Sequence, residues 1–173
     1  MPAFTYCPNC TARLPSDPGN PHAPQSCPSC GATYYHNSKP TAGALILRDG
    51  QILLAERAIE PFRGWWDIPG GFLEPGEHPA DGARREVLEE TGLQIEIEDP
   101  PFAILIDRYG ESEDYTLNVY YVATVVGGDA RPADDVASLR WFSLDALPER
   151  VAFDHANEVL RRLVESWSKP PSE

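Results

Sequence analysis

The stretch GFLEPGEHPADGARREVLEETGL, Gly71 to Leu93, constrains the fold of this 173-residue chain more than any other segment. Gly70 and Gly71 close a strand-like run, and Pro75-Gly76 marks a turn. Pro79 suits a first helical turn, where its missing N–H costs nothing. Ala83, Val87 and Leu88 form an apolar stripe at helical spacing, and Gly92 is a natural residue to end the helix. The pattern predicts a strand, a Gly-rich loop and a helix over about 79–91. Glu86, Glu89 and Glu90 then share one helix face. Three carboxylates this close repel each other unless a cation sits among them, and hard oxygen ligands suit Mg²⁺ or Mn²⁺. A solvated acidic face is the plain alternative, but such a face has no need of the strand and Gly-rich loop in front of it.

All four cysteines fall in the first 30 residues, as Cys7, Cys10, Cys27 and Cys30, spaced C-x₂-C-x₁₆-C-x₂-C. Two such knuckles can wrap one tetrahedral Zn²⁺ with four thiolates and leave no open position, so the role would be structural. Two disulfides or a redox pair are the alternatives, and nothing in the sequence suggests export. The segment from Leu14 to Ser26 is rich in Pro and polar residues and reads as a loop with no core of its own. A module this short needs its metal to fold. His22 and His36 lie nearby but are not required as ligands.

The formal net charge is −13. That argues against nucleic acid or an anionic membrane as partner, since neither finds a basic patch to grip. Only Arg13 and Lys39 are basic in the first 40 residues. The chain has no 18-residue apolar run, and its start lacks a basic region followed by an apolar one, so a cytoplasmic protein is expected.

Several further elements are legible. Thr41 to Arg48 and Gln51 to Arg57 read as strands joined by an Asp49-Gly50 hairpin turn. Leu93 to Ile97, Phe102 to Tyr109, Tyr115 to Val126 and Leu139 to Phe142 read as strands. Ser143 to Leu147 reads as a short helical turn. Val159, Leu160, Leu163, Val164 and Trp167 keep a helical period in a final helix that Asp154 can cap.

The segment from Gly71 resembles the Nudix box at every defined position. A Gly is followed by five residues and Glu77, then seven residues and Arg85-Glu86, an apolar pair, Glu89-Glu90, Thr91, Gly92 and Leu93. The resemblance implies an α/β (α+β) Nudix fold, a mixed sheet between helices, over residues 39–168 with the box at 71–93. A small zinc ribbon would occupy 1–38. The segments HNSKPTAGALI, RAIEPFRGWWDIPGGFLEPGE and AFDHANEVL look like those of zinc-ribbon Nudix enzymes that cleave ADP-ribose or FAD. NADH pyrophosphatases of this kind carry SQPWPFPxS after the box, where this chain has FAILIDRYGES.

The resemblance implies Mg-dependent hydrolysis of the pyrophosphate in a small-molecule nucleotide. Glu86, Glu89, Glu90 and the Gly71 carbonyl would hold the metal. Arg85 would pair with Glu89 or Glu77 and fix its orientation. For the general base, Glu89 or Glu86 is a candidate, as is Asp134 or Asp135, with Glu111, Glu113 and Asp114 as rivals. Arg57 matches a phosphate-contact position, with Arg63 and Arg108 as weaker candidates. Trp65, Phe62, Tyr35, Tyr109 and Phe153 are candidates for an aromatic slot, and His155 is expected to play no chemical part. A pocket built across a homodimer is compatible with the resemblance. An NADH pyrophosphatase, a hydrolase of oxidised nucleoside triphosphates and a non-catalytic ADP-ribose sensor remain alternative readings.

Overall fold

The computed structural model describes residues 4–20, 22–111 and 114–167. At the N-terminal end, β1 (Gln25–Ser26) and β2 (Thr33–Tyr34) pair antiparallel on either side of the second cysteine knuckle. Cys7, Leu14 and Cys27 are buried together, with Phe4, Cys10, Ala12 and Tyr34 packed against them. The segment before the second knuckle is therefore more ordered than its composition predicts. The buried Gln25 side chain binds Phe4 from both sides, accepting from its amide at 2.9 Å and donating to its carbonyl at 3.0 Å. It also donates to the Pro15 carbonyl at 2.9 Å, which stitches the polar stretch down.

The remaining elements are β3 (Lys39–Arg48), β4 (Gln51–Arg57), β5 (Trp66–Asp67), β6 (Gly70–Phe72), α1 (Pro79–Thr91), β7 (Leu93–Ile97), β8 (Ala103–Arg108), β9 (Tyr115–Gly128), β10 (Val136–Ser143) and α2 (Asp154–Trp167). The expected boundary at 168 lies outside the described residues. The sheet runs β10-β4-β3-β9-β7, with β5 on β4, β6 on β3 and β8 on β9. It is mixed: β3 and β9 are parallel, and the other pairs are antiparallel. Asp49 and Gly50 both have positive φ (50° and 73°), as a type I′ hairpin turn requires.

Alternation along the central strands sends side chains to two cores. Leu45, Ile52 and Leu54 pack with Ala156, Val159, Leu160 and Leu163 of α2. Ala44, Ile46 and Leu53 pack with Val87 of α1. Both faces are covered, so the strands read as continuous apolar runs rather than half-polar ones.

Helix α1 begins and ends where its sequence predicts. The His78 ring accepts from the Ala80 amide at the N-terminus, Pro79 opens the helix, and Gly92 caps the end at φ 71°. Helix α2 is capped differently from expectation. Asp154 is its first residue, and the capping acceptor is Asp107 of β8, whose Oδ2 takes the His155 amide at 2.9 Å. The distant carboxylate wins because β8 ends against the start of this helix, and sequence adjacency cannot reveal that. The expected helical turn after β10 is a plain turn in which the Ser143 Oγ accepts from the Asp145 amide.

Leu54 is fully buried between the sheet and α2. Leu54→Ala is expected to cost about 2–5 kcal/mol of stability, read as a lower denaturant midpoint at unchanged slope.

Candidate active site

Strand β6 and helix α1 meet through glycine. Gly70 sits at φ 153°, and a Cβ there would collide with the Ala42 carbonyl and the Gly43 backbone. This closeness lets the Gly70 amide donate to Glu90 Oε2 at 2.9 Å, across the gap between strand and helix. A Cβ on Gly71 would lie 2.5 Å from the Glu86 carboxylate. Only glycine lets these two helix carboxylates lie against the backbone of β6.

A cavity of about 230 Å³ opens beside them. Glu86, Glu90, Asp135 and Gly71 line it, together with Asp134 and Arg57. Burial pushes the Glu90 carboxyl well up, and Asp135, Asp67 and Glu86 nearby push it the same way. Burial also raises Glu86, against the opposing effect of Arg85. Asp67, buried behind the site, is pushed by desolvation up to about 7 despite its 3.2 Å ion pair with Arg57. Carboxylates held up in this way are short of positive charge.

Arg85 supplies some of it. Its guanidinium grips both oxygens of Glu77 at 2.8 and 2.9 Å. It also donates to Glu86 at 2.7 Å, to Glu89 at 3.2 Å and to the Phe72 carbonyl at 3.1 Å. Those bonds hold Glu77 at a pKa of about 2. With its donors engaged inside the loop–helix segment, Arg85 orients carboxylates and does not reach into the cavity.

The other sequence-predicted residues separate clearly. Glu89 is half exposed on α1 and is not part of the cavity wall. Arg57 is in the wall, held by the Pro61 carbonyl at 2.7 Å and by Asp67. Trp65 and Phe62 are not in it. Phe62 meets Phe153 edge-on at 4.9 Å, and Trp65 packs on Phe62 at 5.5 Å, behind the wall. Tyr109 and Phe153 do line the cavity. Tyr35 is an exposed side chain of the N-terminal segment. Glu111 and Asp114 are not in the wall, and Glu113 lies outside the described residues.

Sequence reasoning missed the cavity floor. Thr116, Asn118 and Tyr120 alternate along β9 and so share one face, and Thr41 and His155 join them. The available signal was three polar-capable residues at i, i+2 and i+4 inside an apolar strand. The Tyr120 hydroxyl lies 2.7 Å from His155 Nδ1. Burial lowers the His155 pKa to about 4, although Asp107 and Asp154 oppose that shift, so the ring is neutral near pH 7.

Among the described residues, the four cysteines are the group whose ligand atoms all lie within 4.8 Å of one another. Cys7 and Cys30 sulfurs are 3.6 Å apart, as are those of Cys10 and Cys27, and all four are free thiols. A hydrogen bond from Tyr34 lowers Cys7 to about 6. Cys30 has a backbone bond from Ala32 that favours its thiolate, but Cys27, Cys10 and Cys7 push it up to about 12. Four thiolates here need a cation among them.

Comparison with known proteins shows the family. A sequence model of the NUDIX domain matches residues 37–163. The ADP-ribose pyrophosphatase of Methanocaldococcus jannaschii is 33% identical over 126 residues, 70% of each chain. The NAD-capped RNA hydrolase NudC of Chromobacterium violaceum is 33% identical over 127 residues, 70% of this chain but 44% of that protein, so the chain spans less than half of this longer relative. A NUDIX hydrolase structure from Nitrosomonas europaea superposes with a TM-score of 0.79 at 27% identity, covering 98% of this chain and 97% of that one.

The neutral His155 makes stability depend on pH in a definite direction. Its pKa is lower in the folded chain (about 4) than in the unfolded one (6.5). Below pH 6.5 the unfolded chain takes up a proton that the native ring refuses, so stability falls as pH drops toward 4. His155→Gln is expected to remove a pH-dependent loss of up to about 3 kcal/mol in that window. Denaturation midpoints of both proteins from pH 7 to 4 check this, and parallel curves would refute it.

Proposed function

The chain belongs to the NUDIX family, and from that premise we propose that it hydrolyses the pyrophosphate of a nucleoside diphosphate linked to a second group, with ADP-ribose (or FAD) as substrate. The observation that carries this reading is the convergence of Glu86, Glu90 and Asp135 on one cavity beside a glycine backbone. The M. jannaschii relative named for ADP-ribose supports the choice of substrate.

The donors at this end of the cavity are carboxylate oxygens kept protonatable by burial and mutual repulsion, which fits a hard divalent cation. Glu86, Glu89, Glu90 and the Gly71 carbonyl would hold Mg²⁺ (or Mn²⁺), which supplies Lewis acidity and lowers the pKa of a bound water. The chain's own residues do the rest. The Gly70 amide fixes the rotamer of Glu90, and Arg85 binds Glu86, Glu89 and Glu77 together. Asp135, on the cavity wall, is positioned to accept the proton of the attacking water, and Glu89 or Glu86 is the alternative acceptor. Arg57 is placed to meet a phosphate while Asp67 and Phe153 keep its fork aimed.

NADH or an NAD-capped end is the second reading, favoured by the identity to NudC. The net charge of −13 and the segment FAILIDRYGES weigh against it. At the ribbon, tetrahedral Zn–S bonds of about 2.3 Å set sulfurs about 3.8 Å apart, close to the 3.6 Å separations here. We assign Cys7, Cys10, Cys27 and Cys30 a structural Zn²⁺.

With ADP-ribose and Mg²⁺, AMP and ribose 5-phosphate are the expected products by mass. Glu86→Gln, Glu89→Gln and Glu90→Gln are each expected to lower kcat by at least about a hundredfold. Unchanged turnover in the Glu89 and Glu90 variants would refute the site assignment. The purified chain is expected to carry one zinc, measured by elemental analysis, and Cys10→Ser to lose it. Retention of zinc by that variant would sink the ribbon assignment.

A further inference from the structure

Strands β7, β8 and β10 lie at edges of the main sheet. An open edge is a template for one more strand, and proteins blunt it with charge, proline or a bulge. Strand β7 exposes Gln94 and Glu96. Strand β10 exposes Arg140 and carries a register shift between Val136 and Ser138. Strand β8 has no such device at its middle. Ile104 and Ile106 are 58% and 65% exposed there. They share one face, opposite Val119 and the half-buried Leu117 of β9. Ala103 and Leu105 turn the other way, into the core under α2.

The backbone of β8 is open at the same two residues. The Tyr109 amide donates to the directly opposed Asp114 carbonyl at 2.9 Å. Bonded pairs alternate along an antiparallel ladder, so Asp107 and Leu105 also bond toward β9. The Thr116 hydroxyl and Asn118 Nδ2 reach the Asp107 and Leu105 carbonyls from β9, each at 3.4 Å, as that phase requires. The N–H and C=O groups of Ile104 and Ile106 therefore point away from β9, and no other strand among the described residues lies on that side. The open stretch is closed at both ends. The Phe102 amide donates to the Tyr120 carbonyl, and the Arg108 amide to Asp107 Oδ1 at 2.7 Å. Asp107 uses its second oxygen on the His155 amide, so both of its carboxylate oxygens are engaged within the chain.

Two donors and two acceptors remain, on residues placed symmetrically about Leu105. A second copy of the same strand, running antiparallel about a twofold axis at Leu105, sets Ile104 opposite Ile106 of its partner and makes four N–H···O bonds. It leaves none of these groups unpaired. The four isoleucines then form one apolar ridge on a single face of a continuous sheet. The two Arg108 side chains fall at opposite ends of the pairing and do not meet. A longer peptide strand gains little, since the edge offers nothing beyond these two residues. We propose that β8 is the interface of a homodimer in which the sheet continues from one protomer into the next.

Three residues of strand pairing are a small part of the roughly 800 Å² per partner that a stable interface buries. The dimer is therefore reversible. Each chain carries a net charge of −13, so added salt strengthens association by screening the repulsion.

Sedimentation velocity of the full chain over protein concentrations up to about 1 mM, the weak end of the affinity scale, tests the proposal. The mass is expected to rise with concentration from that of one chain to that of two. Ile106→Lys puts a charge on the exposed edge and is expected to weaken association by more than about tenfold, with an unchanged thermal midpoint at a dilution where both proteins are monomeric. Ile104→Lys is expected to do the same and stands in if the first variant melts early. Amide exchange followed by NMR locates the contact. The Ile104 and Ile106 amides are expected to exchange more slowly as the dimer forms, while Leu105 and Asp107, already bonded to β9, change little. A monomer at every concentration would overturn the proposal. So would a dimer that survives both lysine variants, a dimer weakened by salt, or one that leaves the Ile104 and Ile106 amides unprotected.

Discussion

The Glu90 carboxylate, nearly out of water and held by the Gly70 amide, is the interaction on which the rest of the site depends. A carboxylate in the interior is tolerated when it is hydrogen-bonded and when opposite charge is at hand. The hydrogen bond requires strand β6 to pass so close to β3 that neither Gly70 nor Gly43 has room for a side chain. A Cβ on Gly43 would press on the Pro69 carbonyl and the Tyr120 ring at 3.0 Å. The glycines of the loop and the acid of the helix are thus one structural decision. Moving β6 outward by the width of a methyl group would strand Glu90 without its donor.

Opposite charge is harder to find. Glu86, Glu90, Asp135 and Asp67 cluster around or behind the cavity, and two arginines face them. Arg85 is saturated by Glu77, Glu86, Glu89 and a carbonyl, and Arg57 is held by Asp67 and a carbonyl. Neither neutralises Glu90, which is why burial and its acidic neighbours act on it together. The chain's overall acidity makes this sharper, because no long-range positive field offsets it. The fold has arranged a deficit of positive charge at one point, which the divalent cation proposed above would fill.

How far the sequence exposed this arrangement depends on where each signal lies. Helix α1 was legible to the residue, because Pro79 and Gly92 act on their own backbone and need no partner. The Asp49-Gly50 turn was legible for the same reason. The cap of α2 was not, since Asp107 reaches it from β8, 47 residues earlier in the chain than Asp154. Trp65 and Phe62 looked suited to a binding slot by residue type, yet residue type cannot distinguish a ring that faces a cavity from one that buttresses the ring that does. The floor was hidden because Thr and Tyr are ordinary strand residues. Only the register of β9 on β3, with Thr41 opposite Asn118, turns them into a cluster.

The acidic wall and the floor of the cavity are built by different parts of the fold. The acidic end belongs to β6 and α1, whose local geometry is dictated by Gly and Pro and tolerates little variation. The floor belongs to β9, β3 and the first turn of α2. Phe62, Asp134 and Phe153 hold positive φ around the junction, a conformation that non-glycine residues adopt only when neighbours enforce it. Asp134 and Phe153 both line the cavity, Asp134 next to Asp135 and Phe153 stacked on His155.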